Sequence, residues 1–283
     1  MKNTLKKMIA LLLIASFVLC GTIGCGKKSV KITVLSDTFG SEQYGIGFRN
    51  GDVAFGLKIH EAFEAIVADG KGAEIAKQWL GEDLILKDQP YLEESEATPE
   101  DDSWTKISDR GYFIVGLDAS FPPMGYLDEN NEIVGFDIDL AKAVAENLGI
   151  EVKFQPINWD SKEMELNNGN IDCIWNGMTI TDERLASMYF TKAYLANEQI
   201  VLVKEGGKIA SKADLSGKTV AAQAGSSGLE AVEADTEACA SFKELVTYDD
   251  YTAAYQDLKL GRVDALVIDS IVGYYLIAND TEA

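Results

Sequence analysis

Apolar and polar positions alternate along the chain in short blocks separated by Gly, Asn and Asp. Gly111 to Leu117 (GYFIVGL) is an apolar run of strand length. Asp137 to Leu148 carries apolar residues at Ile138, Ala141, Ala145 and Leu148, the spacing of one helical face. Asp137 supplies an N-cap and Gly149 a stop. Val152–Pro156, Asp172–Trp175, Gln199–Lys204, Thr219–Ala222 and Val263–Ile268 read as strands, and Asp250–Leu260 as a helix closed by Gly261. Upstream, Lys31–Leu35 and Tyr44–Arg49 read as strands, and helices fall within Asp52–Ala68 and Gly72–Leu80. Strand and helix in alternation predict an α/β fold with mostly parallel sheets.

One pattern occurs twice. Leu166-Asn-Asn-Gly169-Asn-Ile171-Asp172 through Gly177 aligns with Leu258-Lys-Leu-Gly261-Arg-Val263-Asp264 through Asp269. Each copy is a helix end, a glycine, and a strand with aspartate at its second position. Any helix–Gly–strand unit can look like this. The sharper reading is two similarly wired lobes whose strand ends, Gly177 and Asp269, face a cleft, since open α/β sheets bind ligands at strand carboxyl ends.

The first 25 residues interrupt the globular pattern. Lys2, Lys6 and Lys7 precede an apolar run from Met8 to Leu19, too short to span a bilayer about 30 Å thick and typical of a secretion signal. Thr22-Ile23-Gly24-Cys25 resembles a bacterial lipobox, which makes Cys25 the expected lipidation site, with plain cleaved secretion as the alternative. Losing the three signal lysines takes the net charge from −21 to −24. Such acidity excludes a nucleic-acid partner and leaves membrane attachment to a lipid anchor. Cys173 and Cys239 form no disulfide or metal signature. His60 is the only histidine, so zinc chemistry and Ser-His-Asp catalysis have little to work with. No cofactor and no metal are expected. The acidic stretch Asp88 to Asp102, with two prolines and seven carboxylates, reads as a solvated linker.

The segment Asn176-Gly-Met-Thr179-Ile-Thr181-Asp-Glu-Arg184 follows a strand. Thr181 can cap a short helix whose first turn carries Asp182 and Glu183, which returns Arg184 toward the strand end. A guanidinium there can grip a carboxylate through two parallel hydrogen bonds. An ordinary surface arginine after an N-cap fits the same residues.

With Asp118-Ala-Ser-Phe121-Pro-Pro-Met-Gly-Tyr126, Gly135-Phe-Asp-Ile-Asp-Leu140, Gln223-Ala-Gly-Ser-Ser227 and Glu42-Gln-Tyr44-Gly-Ile46, the chain resembles the extracellular solute-binding proteins of polar-amino-acid ABC importers. The resemblance implies the type II periplasmic-binding-protein fold: two Rossmann-like lobes joined by two crossover strands and closing on a ligand. It also implies site roles. Arg184, with Thr179, Ser226 and Ser227, holds an α-carboxylate; Asp269, Thr179 and the Gly177 carbonyl take the α-ammonium. Phe121 and Trp159 flank the side chain, and Asp118 and Gln223 reach its far end. A zwitterion leaving water needs an opposite charge at each pole, which agrees independently.

The order of parts departs from the family. The Glu42-Gln-Tyr44-Gly-Ile46 strand and the helices ending at Trp79-Leu80-Gly81 close such proteins at their C-terminus, and here they come first. A circular permutation is expected. The divisions are then 1–25 signal and lipobox, 30–42 part of lobe 2, 43–50 a crossover, and 52–81 part of lobe 1. Residues 82–107 are an acidic linker, 108–194 lobe 1, 195–203 the second crossover and 204–283 lobe 2. A fusion of two incomplete copies is the rival explanation, but no element is duplicated.

The expected function is capture of a free polar or basic L-amino acid by a lipid-anchored monomer on the outer face of the cell membrane, for delivery to an ABC permease. The alternatives are a cyclohexadienyl or arogenate dehydratase-like enzyme, with Asp118 as its acid, and a sensory module built on the same trap.

Overall fold

A computed structural model describes residues 30–91 and 101–280. The signal segment with Cys25 and the middle of the acidic stretch lie outside the described residues. In chain order the elements are β1 (Ile32–Arg49), α1 (Val53–Ala68), α2 (Lys71–Leu80), α3 (Ser103–Arg110), β2 (Tyr112–Leu117), β3 (Ser120–Phe121), β4 (Gly125–Leu127), β5 (Ile133–Val134), α4 (Phe136–Leu148) and β6 (Glu151–Pro156). There follow α5 (Lys162–Asn167), β7 (Cys173–Thr179), α6 (Asp182–Ser187), β8 (Met188–Phe190), β9 (Leu195–Lys204), β10 (Thr219–Gln223), α7 (Ser227–Ala234), α8 (Thr236–Ser241), β11 (Glu244–Tyr248), α9 (Tyr251–Leu260), β12 (Ala265–Asp269) and α10 (Ser270–Ala278).

The main strands run in the order β11-β10-β12-β9-β1-β7-β2-β6, with β8 added beside β1. The outer pairs, β10 with β11 and β12 and β2 with β6 and β7, are parallel as expected. The centre is antiparallel, because β1 and β9 cross the molecule in opposite directions. β1 pairs with β9 from Ile32 to Tyr44, and its far half, to Arg49, pairs with β7 and β8. The two strands read as Lys31–Leu35 and Tyr44–Arg49 are therefore one strand. Its middle is polar and irregular, with register shifts around Thr38 and Gly40, and this hides its continuity from an apolar pattern.

The N-cap of α4 is Gly135, not Asp137. Gly135 has φ +143°, and a Cβ there would lie 2.3 Å from the Met124 carbonyl oxygen, so only glycine fits. Asp137 falls in the first turn, fully buried, where it accepts hydrogen bonds from the Gly177 amide (2.8 Å) and the Tyr194 hydroxyl (2.9 Å). Both ends of the 82–107 stretch are tied to the fold rather than free. Ile85 is buried, the Leu86 amide donates to Tyr194, and α3 begins at Ser103. Asp101 and Ser103 accept from the first free amides of α1 and so serve as its cap from a distant segment.

The repeated pattern has a structural counterpart. Gly169 and Gly261 take φ values of +75° and +74°. Asp172 accepts from the Ile114 amide at 2.7 Å, and Asp264 accepts from the Thr219 amide at 2.9 Å. Each aspartate thus pins its strand to the parallel neighbour at the same point, β7 to β2 and β12 to β10. The two halves of the sheet share their wiring.

Candidate functional site

The carboxyl ends of β7 and β12 converge where the halves meet. Thr181 caps α6 by accepting from the Arg184 amide, which aims the arginine back at Thr179. Arg184 is 3% exposed; Nη1 donates to the Thr179 carbonyl (2.9 Å), and Nη2 to the Gly225 carbonyl (3.2 Å) and to Oε1 of Glu230 (3.0 Å). Its Nε is buried with no hydrogen-bond partner. From the other half, Asp269 ends β12. Its Oδ1 accepts from the Tyr44 hydroxyl (2.6 Å) and from Nδ2 of Asn197 (2.7 Å).

Phe121, Trp159, Gly177, Thr179, Arg184, Gln223, Ser226, Ser227 and Asp269 line one cavity. Asp118, the remaining candidate, is not among these lining residues but accepts from Nε2 of one of them, Gln223, at 2.7 Å. The Phe121 ring also meets Tyr251, 5.9 Å away between centroids. The free space is only about 10 Å³, room for no more than a single water. The halves are shut. Hydrogen bonds cross the cleft from Gln223 to Asp118, from Arg184 and Lys162 to Gly225, and between the Thr179 and Ser227 hydroxyls.

Residues 113–250 match the family of bacterial extracellular solute-binding proteins, family 3. The chain is 33% identical over 182 residues to the L-cystine-binding protein TcyJ of Escherichia coli K12, covering 63% of this chain and 67% of the relative. The protein is a family 3 extracellular solute-binding protein. Among solved structures, it resembles an ABC uptake transporter substrate-binding protein from Streptococcus pneumoniae with bound histidine, at 44% identity and a TM-score of 0.61 over 62% of this chain and 74% of that one. It also resembles the arginine-bound form of truncated ArgBP from T. maritima, at 39% identity and a TM-score of 0.58 over 63% and 82% respectively.

In this solute-binding protein the cavity has opposite electrostatic poles. Burial pushes the Asp269 carboxyl up to about 7, reinforced by the neighbouring Glu42. Asp118 rises to about 6, again from burial. At the cationic pole, burial and then the Arg184 charge bring Lys162 down to about 8. Its ammonium donates to the Gly225 carbonyl at 2.7 Å, the same oxygen that Arg184 reaches.

Several polar residues beside this cavity escaped the sequence reading. Lys162 lies three positions after Trp159, but a lysine among carboxylates looks solvated; in fact it is 4% exposed. Glu42 and Tyr44 belong to the Glu42–Ile46 strand motif, yet nothing local to it reveals that β1 runs beside Asp269. Glu230 looks like a helix-surface residue and turns to Arg184 only because α7 packs across the cleft.

Proposed function

We propose that this protein captures a free polar or basic L-amino acid outside the cell and delivers it to an ABC permease. The observation that carries the reading is that Arg184 and Asp269, buried and of opposite charge, line one cavity between two halves of the molecule. An α-carboxylate fits the arginine, whose Nε is unpartnered, and an α-ammonium fits Asp269. Thr179, Ser226 and Ser227 border the carboxylate end, and the Gly177 carbonyl the amine end. Phe121 and Trp159 offer ring faces to the side chain. Asp118 and Gln223 at its far end favour a basic or amide group. The relatives named for cystine, arginine and histidine support an amino acid as cargo. Binding without turnover is the simpler use of this site, because its carboxylates are committed to hydrogen-bonded partners.

Anchoring at Cys25 and a monomeric state belong to the same reading. The lipobox-like Thr22–Cys25 stretch supports the anchor, and no helix among the described residues is long and apolar enough to cross a membrane. A circular permutation is part of it too. Residues 31–33 and Ile277 and Asp280 line one small depression, so the two ends of the described chain are neighbours. The family match begins only at 113, although β1 sits between β9 and β7 in the middle of the sheet.

The test is thermal unfolding with each of the twenty amino acids. A ligand at a hundredfold its Kd adds about 2.7 kcal/mol, and one or a few polar or basic amino acids are expected to shift the transition. No shift with any of them overturns the reading.

A further inference from the structure

Glu42 stands beside the amine pole without a part in the zwitterion grip. Its Oε1 accepts from the Thr179 hydroxyl (2.8 Å), Nδ2 of Asn197 (2.6 Å) and Nε2 of Gln199 (2.9 Å). The same Asn197 nitrogen donates to Oδ1 of Asp269 at 2.7 Å. One amide nitrogen therefore holds an oxygen of each carboxyl group, 2.6 Å from Glu42 and 2.7 Å from Asp269. Glu42 is half-buried and also lines an open groove with Ser41, Asn197, Glu198 and Tyr274 on the outer side of the crossover strands. It thus stands between the closed cavity and water.

We infer that Glu42 is a positioning residue of the ammonium seat: with Asp269 it forms a carboxyl pair that holds one proton when the seat is empty and gives it up when a primary ammonium arrives. The inference rests on the amino-acid reading above. Buried Asp269, sharing one amide donor with a second carboxyl group, ionises only at a cost, so a proton stays on Asp269 while the seat is empty. An arriving ammonium supplies the positive charge in its place, and the proton leaves Asp269 for water. No bond other than that O–H is broken.

The surrounding charged and titratable groups do not replace that proton. On β1 and α9, the hydroxyls of Tyr44 and Tyr251 are both held well above the usual tyrosine range by burial. On α7, Glu230 adds a further negative charge. Glu198 on β9 is exposed, and on α6 the cation Arg184 is committed to Glu230 and two carbonyls. The empty seat therefore lacks a cation of its own, and the class of group it selects is a primary ammonium.

Calorimetric titration of the purified protein with L-arginine, L-lysine and L-glutamine tests this, in two buffers of different ionisation heat between pH 6 and 8. None of the three side chains titrates in that window. Binding at pH 6 is expected to release close to one proton per ligand, falling toward none by pH 8. Affinity should accordingly rise by up to about tenfold per pH unit below pH 7 and then level off. Glu42→Gln keeps the hydrogen-bond acceptor and removes the charge; it should abolish the release and flatten the pH dependence. Wild-type binding without proton release, or Glu42→Gln releasing as much as wild type, overturns the inference while leaving amino-acid capture intact. If no amino acid in the panel produces heat, the capture reading falls and this inference falls with it.

Discussion

The Tyr44 hydroxyl donates to Oδ1 of Asp269 at 2.6 Å, joining residues 225 positions apart. Tyr44 is where β1 leaves β9 and joins β7, so the hydrogen bond ties the crossover to the end of β12. A change at either residue is felt by both the crossover strand and the cavity that Asp269 lines. Tyr44→Phe removes the hydroxyl donor to Oδ1 and leaves Nδ2 of Asn197. Ligand affinity should fall by about tenfold, the effect of roughly 1.4 kcal/mol. Isothermal titration checks this; unchanged affinity would place the tyrosine outside the binding energetics.

Arg184→Ala should abolish the ligand-dependent thermal shift. Truncating one partner of a buried charge pair costs about 2–5 kcal/mol of binding, a loss of at least thirtyfold in affinity. The ligand-free protein should still melt cooperatively, because Glu230, the arginine's ionic partner, can turn to solvent with its side chain 38% exposed. Retained affinity in a folded Arg184→Ala protein would move the carboxylate seat elsewhere.

Gly177 sits at φ +58°, and an added Cβ would come within 2.7 Å of the Phe121 ring and 3.1 Å of the Tyr44 ring. Its amide is also held by Asp137. Gly177→Ala should therefore cost about 1–3 kcal/mol of stability, read as a lower urea midpoint at constant slope. It should weaken binding as well, since the displaced ring lines the cavity. A midpoint within error of wild type would mean that Phe121 relaxes freely.

How much was legible in the sequence follows from which signals are local. The Thr181 cap, the Gly261 stop and the paired Asp172 and Asp264 are each decided within a few residues, and they located the helix start that carries Arg184 and the strand end that carries Asp269. Nine of the ten binding candidates line one cavity, because the motifs that suggested them lie at those ends. What stayed hidden depends on partners distant in the chain. The polar middle of β1 is held only by β9, Asp137 looks like a cap until Gly177 and Tyr194 surround it, and Lys162 looks solvated until Gly225 closes over it.

Asp118, Asp137 and Asp269 all have raised proton affinities, to about 6, 7 and 7, with burial as the main cause. A carboxylate in the unfolded chain titrates near 4. Between pH about 4 and 7 the native state therefore binds more protons than the unfolded state, and raising the pH withdraws stability. The ligand-free protein should melt higher at pH 5 than at pH 7.5, with a loss of at least about 1 kcal/mol across that span. Asp137→Asn should reduce the slope. A transition temperature that is flat or rises from pH 5 to 7.5 would show that these groups ionise freely in the native protein.

The proposed permutation makes the most demanding prediction, because it concerns connectivity alone. β1 is the strand between the two halves of the sheet, and α1 and α2 pack on α4, where the Trp79 indole donates to Asp139 at 2.8 Å. A fragment beginning at Ser103 lacks all three elements, so it should show no cooperative melt. Joining Asp280 to Lys31 through a short Gly-Ser bridge, and opening the chain between Tyr91 and Asp101, should instead restore the family's usual order. The ends to be joined border one depression, and loop closure over a few residues costs little. That rewired chain should melt as one unit and bind the same amino acid with affinity within a few-fold of the original. If it fails to fold while the natural order folds well, the present order is required by the structure, and the permutation reading is wrong.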